Sequence, residues 1–218
     1  MLKVNFLETT LTLQLFVINK VILNMNFLAH VYLSEDNFSL AVGNLIADRV
    51  KGKDLINFSP MIQKGILLHR KIDVFTDHHP LFKECVSLLF PIYRHYSRVI
   101  VDMYFDHFLA SNWKKYHSKN LKTFSDKFYD ALKIEAENFP ENLKKFSRAL
   151  ILYNWFDSYK TIAGLELILA QMEQRTRFPS KLSASTKQLK ENYTYFHKHF
   201  SSFMEEVIDF TKNEIKNL

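Results

Sequence analysis

The chain has 218 residues and a formal net charge of +6, long enough for one domain with a sizeable core. Its 47% hydrophobic and 15% aromatic content excludes a disordered chain. The single cysteine, Cys85, excludes an internal disulfide and fits a reducing cytoplasm; its apolar neighbours mark it as a buried, inert thiol.

The run LTLQLFVINKVIL (11–23) is broken by Gln14, Asn19 and Lys20 and is too short to cross a bilayer. It also lacks the basic start and the small-residue cleavage site of a signal peptide. Residues 1–24 therefore read as an N-terminal extension, disordered or translated from an upstream start. The segment MNFLAHVYLS, beginning at Met25, opens the domain, which runs to Leu218.

Beyond it the apolar pattern is helical almost throughout. Ser34, Glu35 and Asp36 offer a cap and an acidic first turn to a helix over Phe38–Val50, closed by Gly52. Ser59-Pro60 starts the next helix, which ends near Asp77, ahead of Pro80. Leu81–Tyr96 is apolar at helical spacing, with Pro91 as a kink. Further helices follow over Val99–Trp113, Leu121–Asn138, Glu141–Tyr159 and Ile162–Thr176. After a loop at Phe178-Pro179-Ser180, a long helix runs over Ala184–Lys216. Strand signals are nearly absent, and the expectation is an all-α single-domain helical bundle.

Histidine and aspartate are poor helix formers, yet they recur inside these helices among apolar neighbours. His30 lies in NFLAH, Asp48 in GNLIADRVKG, and His69, Asp73 and Asp77 in GILLHRKIDVFTDHHP. Asp102, Asp106 and His107 lie in VDMYFDHFLASNW. His69, Asp73 and Asp77 follow one another at four-residue spacing, on one helix face. A carboxylate leaning into a core is costly unless it is paired or bound to a metal. Each residue alone has an ordinary structural explanation, as a hydrogen-bonded core histidine, a cap or a salt-bridge partner. Together they point to one polar centre, and imidazole with carboxylate suits Mn²⁺, Fe²⁺ or Zn²⁺. Arg49, Arg70 and Lys71 are placed in sequence to meet a phosphate beside such an ion. There is no Gly-x-Ser-x-Gly turn and no glycine-rich phosphate loop.

Four of these motifs, MNFLAHVYLS, GNLIADRVKG, GILLHRKIDVFTDHHP and DMYFDHFLASNW, stand in the order seen in acyl carrier protein phosphodiesterases. This chain resembles that family from Met25 to about Pro179, with weaker similarity at WFDSY (155–159) and MEQRTR (172–177). The family is distantly related to the HD-domain phosphohydrolases, so the resemblance implies an HD-phosphohydrolase-like bundle. It also implies hydrolysis of the phosphodiester between 4′-phosphopantetheine and the serine of holo-acyl carrier protein. The ion implied is divalent, Mn²⁺ first, with Mg²⁺ or Fe²⁺ as alternatives. Asp48 matches the family's metal-centre aspartate, and His30, His69, Asp73, Asp77, Asp106 and His107 match other motif positions. Assigned by chemistry, the expected ligands are His30, Asp48, His69, Asp77, Asp106 and His107. The expected catalytic groups are Asp48, His69, Arg70 and Asp73, and Arg70, Lys71 and Arg175 are expected on the substrate phosphate.

The implied partner, a small acidic protein, suits the basic excess through electrostatic steering. Neither a nucleic acid nor a membrane is expected, because the cations are dispersed rather than gathered in a stripe. Two other functions fit the same residues: an HD-like phosphohydrolase acting on a nucleotide or another small phosphodiester, and a non-catalytic basic helical module.

Overall fold

The computed structural model describes residues 27–174, 176 and 178–218; the expected extension and Arg175 lie outside the described residues. These residues form twelve α-helices and four short 3-10 turns, with no strand. The all-α expectation holds, and no described helix is long and apolar enough to cross a membrane.

Helix α1 (Phe27–Tyr32) leads to α2 (Phe38–Ile46), which passes into a 3-10 turn at Ala47–Arg49. A second turn, Gly52–Asn57, precedes α3 (Pro60–His78) and α4 (Pro80–Tyr93). Then come α5 (Ser97–Ser111), α6 (Trp113–Tyr116), α7 (Leu121–Ala136) and α8 (Glu141–Tyr153). The chain ends with α9 (Trp155–Ser158), α10 (Ile162–Glu173), α11 (Thr186–Glu191) and α12 (Tyr193–Lys216).

Helix α5 is the axis of the bundle: from Ile100 to Ala110 every residue except Asp102 is buried. A helix apolar on all sides must be enclosed, and α5 is wrapped by aromatic side chains. Phe105 meets Phe82, Phe200 and Phe203, and Phe108 stacks on Phe200. Cys85 is fully buried, and burial pushes its thiol up to about 12, so it is inert as expected.

Several element ends differ from the sequence pattern. The cap of α2 is Asn37, whose Oδ1 accepts from the Leu40 amide at 3.1 Å; Ser34 turns inward instead, its hydroxyl donating to the His30 carbonyl. The expected helix over Glu141–Tyr159 is broken at Asn154, which takes the left-handed conformation at φ 44° that asparagine tolerates better than most residues. The last expected helix is likewise interrupted at Asn192.

Two glycines set the spacing that the site needs. A Cβ on Gly43 of α2 would lie 2.2 Å from the Ile62 carbonyl oxygen of α3, and one on Gly65 of α3 would lie 2.1 Å from that of Leu40. The two helices therefore touch backbone to backbone, an approach open only to glycine.

Candidate metal centre

Four elements meet where α1, α2 and α3 converge. Helix α1 has only six residues, too few to be stable alone, and it is held through its first turn. Phe27 stacks on Trp155 and packs against Phe146. The amides of Leu28 and Ala29 donate to the Asp106 carboxylate of α5 at 3.0 and 2.8 Å. Its last turn directs His30 at α3, whose His69 and Asp73 lie one turn apart. The 3-10 turn after α2, closed by the Val50 amide on the Ala47 carbonyl at 3.0 Å, supplies Asp48.

The resulting geometry is compact. The imidazole rings of His30 and His69 stack with centroids 4.1 Å apart. Asp73 lies between them, with Oδ1 3.3 Å from His30 Nε2 and Oδ2 3.2 Å from His69 Nε2. Asp48 Oδ1 is also 3.2 Å from His69 Nε2. The imidazoles are buried, while the Asp48 and Asp73 side chains are 27% and 45% exposed, so the cluster has a dry floor and an open rim.

Charge in this cluster is strongly coupled. Burial opposes a charge on His69, but Asp48 and Asp73 outweigh it and hold the imidazole up at about 9. His30 is driven the other way, by burial first and then by the His69 charge. Burial works against ionisation of Asp73, yet the two imidazoles keep it well below the usual carboxylate range. Asp48 is held down similarly, its burial overcome mainly by His69. With His69 protonated, a single positive charge faces two carboxylates, an environment that favours a second.

The residues fit a divalent cation. His30, His69 and Asp73 each present a ligand atom, all within 4.8 Å of one another. His30 Nε2 is buried and makes no hydrogen bond of acceptable geometry to any described residue. A buried nitrogen of this kind, beside carboxylates, suits a ligand atom of a divalent ion.

The remaining expected residues do not join the cluster. Asp77 is exposed and paired with Arg98. Asp106 caps α1, as described, and burial pushes its carboxyl up to about 7 against the helix amides that favour its charge. His107 donates from Nδ1 to the Tyr159 carbonyl at 2.7 Å, on the far side of α5. The expected convergence of Asp106 and His107 with His30 thus fails, because backbone groups of α1 and the Tyr159 turn take up their polar atoms.

Lys71 is paired with Glu214 of α12 along a groove of about 860 Å³ that Leu67, Val74, Phe75 and Phe210 also line. Arg70 lines the same groove, exposed and without an ion pair among the described residues. At about 100° per residue, Arg70 falls on α3 between Asp73 and Val74, bordering both centre and groove.

Two further candidates had no role assigned from the sequence. Asn44 is buried in α2 and accepts from His30 Nδ1 at 2.7 Å; its signal was an amide inside the apolar run VGNLIA. Asp102 stood among the embedded acids but had no role assigned. It lines a cavity of about 20 Å³ with His30, Ala29 and Thr76, room for about one water. Burial first, then the charges of Asp73 and Asp106, raise its carboxyl well above the usual range.

Comparison with known proteins matches the sequence of this chain to a family. The family model described as acyl carrier protein phosphodiesterase matches residues 25–207. A Photorhabdus laumondii protein named acyl carrier protein phosphodiesterase is 31% identical over 87% of this chain and 96% of its own. Relatives of the same name from Serratia proteamaculans and Yersinia enterocolitica are 26% and 30% identical, over 87% and 82% of this chain and 99% and 93% of theirs. No solved structure matches the chain. With a family model covering most of its length and relatives matched almost end to end, the chain belongs to the acyl carrier protein phosphodiesterase family.

Proposed function

We propose that the protein is a cytoplasmic phosphodiesterase that removes 4′-phosphopantetheine from the serine of holo-acyl carrier protein, on an HD-phosphohydrolase-like helical scaffold. The observation that carries this is the His30–Asp48–His69–Asp73 cluster in a chain of this family. His30, His69 and Asp73 would hold a divalent cation, with Asp48 completing the donor set; Mn²⁺ is the first choice and Mg²⁺ or Fe²⁺ the alternatives. Such an ion lowers the pKa of a bound water and polarises a phosphoryl oxygen.

The chain's own residues do the rest. Asp73 sets one carboxylate oxygen beside each imidazole, 3.3 Å from His30 Nε2 and 3.2 Å from His69 Nε2. Asp48, on the open rim, is placed to accept a proton from the attacking water. Arg70, exposed and beside Asp73 on α3, is positioned to hold the equatorial phosphate oxygens and stabilise the charge that grows on them. Lys71 is already engaged by Glu214 and would contribute only a long-range field.

The test is the intact mass of holo-acyl carrier protein incubated with the enzyme and Mn²⁺, with small phosphodiesters as a parallel substrate. Loss of the phosphopantetheine mass, abolished by chelator, is expected. Turnover of small phosphodiesters alone would assign a different substrate, and turnover of neither would leave only a binding role.

A further inference from the structure

The orientation of the Asn44 amide follows from its surroundings. One amide atom lies 2.8 Å from the His30 backbone oxygen, which can only accept, so that atom is the NH₂ nitrogen. The same nitrogen is 2.9 Å from Ser34 Oγ, whose own proton goes to the His30 carbonyl at 2.9 Å. The other amide atom is therefore the carbonyl oxygen, and it lies 2.7 Å from His30 Nδ1. An amide oxygen only accepts, so Nδ1 must carry a proton.

The pull from the opposite side is contrary. Asp73 Oδ1, 3.3 Å from His30 Nε2, would draw a proton onto Nε2 and turn that nitrogen from a lone-pair donor into an N–H. Both nitrogens can be protonated only if His30 is a cation, which would set two charged imidazoles face to face at 4.1 Å. The hydrogen-bond geometry shows which side prevails: the Asn44 contact is short and well formed, whereas Nε2 makes no acceptable hydrogen bond to any described residue.

We propose that Asn44 is a positioning residue that locks the His30 imidazole with its proton on Nδ1, turning the Nε2 lone pair toward His69 and Asp73. It acts through His30 and touches no substrate. This deepens the cation reading given above and rests on it for what Nε2 meets. The lock itself is a property of the metal-free protein. Outer partners of this kind fix the tautomer of metal-binding histidines, and their loss typically weakens metal binding about 10–100-fold. The Asn44 bond to the His30 carbonyl also ties α1 to α2, so a purely structural role has to be separated from the tautomer role.

Nitrogen NMR of the intact, metal-free protein with ¹⁵N-labelled histidine reads the tautomer directly. The expected result is a neutral His30 protonated at Nδ1 in the wild type and at Nε2 in Asn44→Ala. Titration with Mn²⁺ alone should show Asn44→Ala weakened about 10–100-fold. Asn44→Asp, which keeps an acceptor opposite Nδ1, should recover most of that loss even though it too is less stable. A wild-type His30 protonated at Nε2 would overturn the proposal, as would Mn²⁺ affinities that track melting temperature with Asn44→Asp no better than Asn44→Ala. A wild type that carries its proton on Nδ1 yet binds no Mn²⁺ would overturn the cation reading and leave the lock standing.

Discussion

Two regions of this protein contain the same residue types and use them differently. On α5, Asp106 and His107 are buried, and each is satisfied by backbone: Asp106 by the first amides of α1, His107 by the Tyr159 carbonyl. At the meeting of α1 and α3, His30 and His69 are equally buried, but their rings stack and their Nε2 atoms face carboxylates. Buried polar groups closed by backbone hold a fold together. Buried polar groups aimed at one another, with a rim open to solvent, are available to an ion.

The sharpest way to break this comparison is at Asp48. Asp48→Asn keeps the shape and removes the charge, so the fold should persist while phosphodiester hydrolysis falls by roughly two orders of magnitude or more. Steady-state turnover beside circular dichroism melts checks this. A loss of stability with full turnover per folded molecule would place Asp48 among the structural acids.

Asp106→Asn should do the opposite. One of the two α1 amides would then face an NH₂ group, at a cost of about 1–3 kcal/mol measurable by urea denaturation. Turnover of the folded fraction should change far less than in Asp48→Asn.

The metal-free centre should also respond to pH. His69 is held at about 9 in the fold against an ordinary 6.5, so its protonated form stabilises the native state. That contribution is fully present below 6.5 and is lost as pH rises through about 9. The thermal midpoint of the metal-free protein should fall across that window relative to a His69→Gln variant. Mn²⁺ affinity should rise over the same window, because binding must displace the His69 proton.

The smallest effect is expected at Asp77. Its exposed pair with Arg98 contributes under about 1 kcal/mol, and Asp77→Asn should leave metal affinity unchanged.

The bundle was legible because its apolar residues recur at helical spacing, and α3 was legible almost to the residue because Pro60 and Pro80 bracket it. The breaks at Asn154 and Asn192 were not, since an asparagine inside a periodic run gives no sign that the backbone will turn there. At the centre, His69 and Asp73 could be paired from their spacing on one helix. His30 and Asp48 could be grouped with them only by type and by motif. Asp106 and His107 looked equivalent to them because sequence shows that a polar residue is buried and not what satisfies it. Asn44 escaped notice for the converse reason: its role lies wholly in two hydrogen bonds to a residue fourteen positions away.

The central claim, that the His30–Asp48–His69–Asp73 cluster and not the α5 pair holds a cation, is tested most directly by Mn²⁺ titration. The wild type, Asp48→Asn and Asp106→Asn would be compared, with free Mn²⁺ followed by electron paramagnetic resonance. Saturable binding that is retained in Asp106→Asn and lost in Asp48→Asn is the predicted result. Wild-type affinity in Asp48→Asn, or binding abolished only in Asp106→Asn, would contradict it.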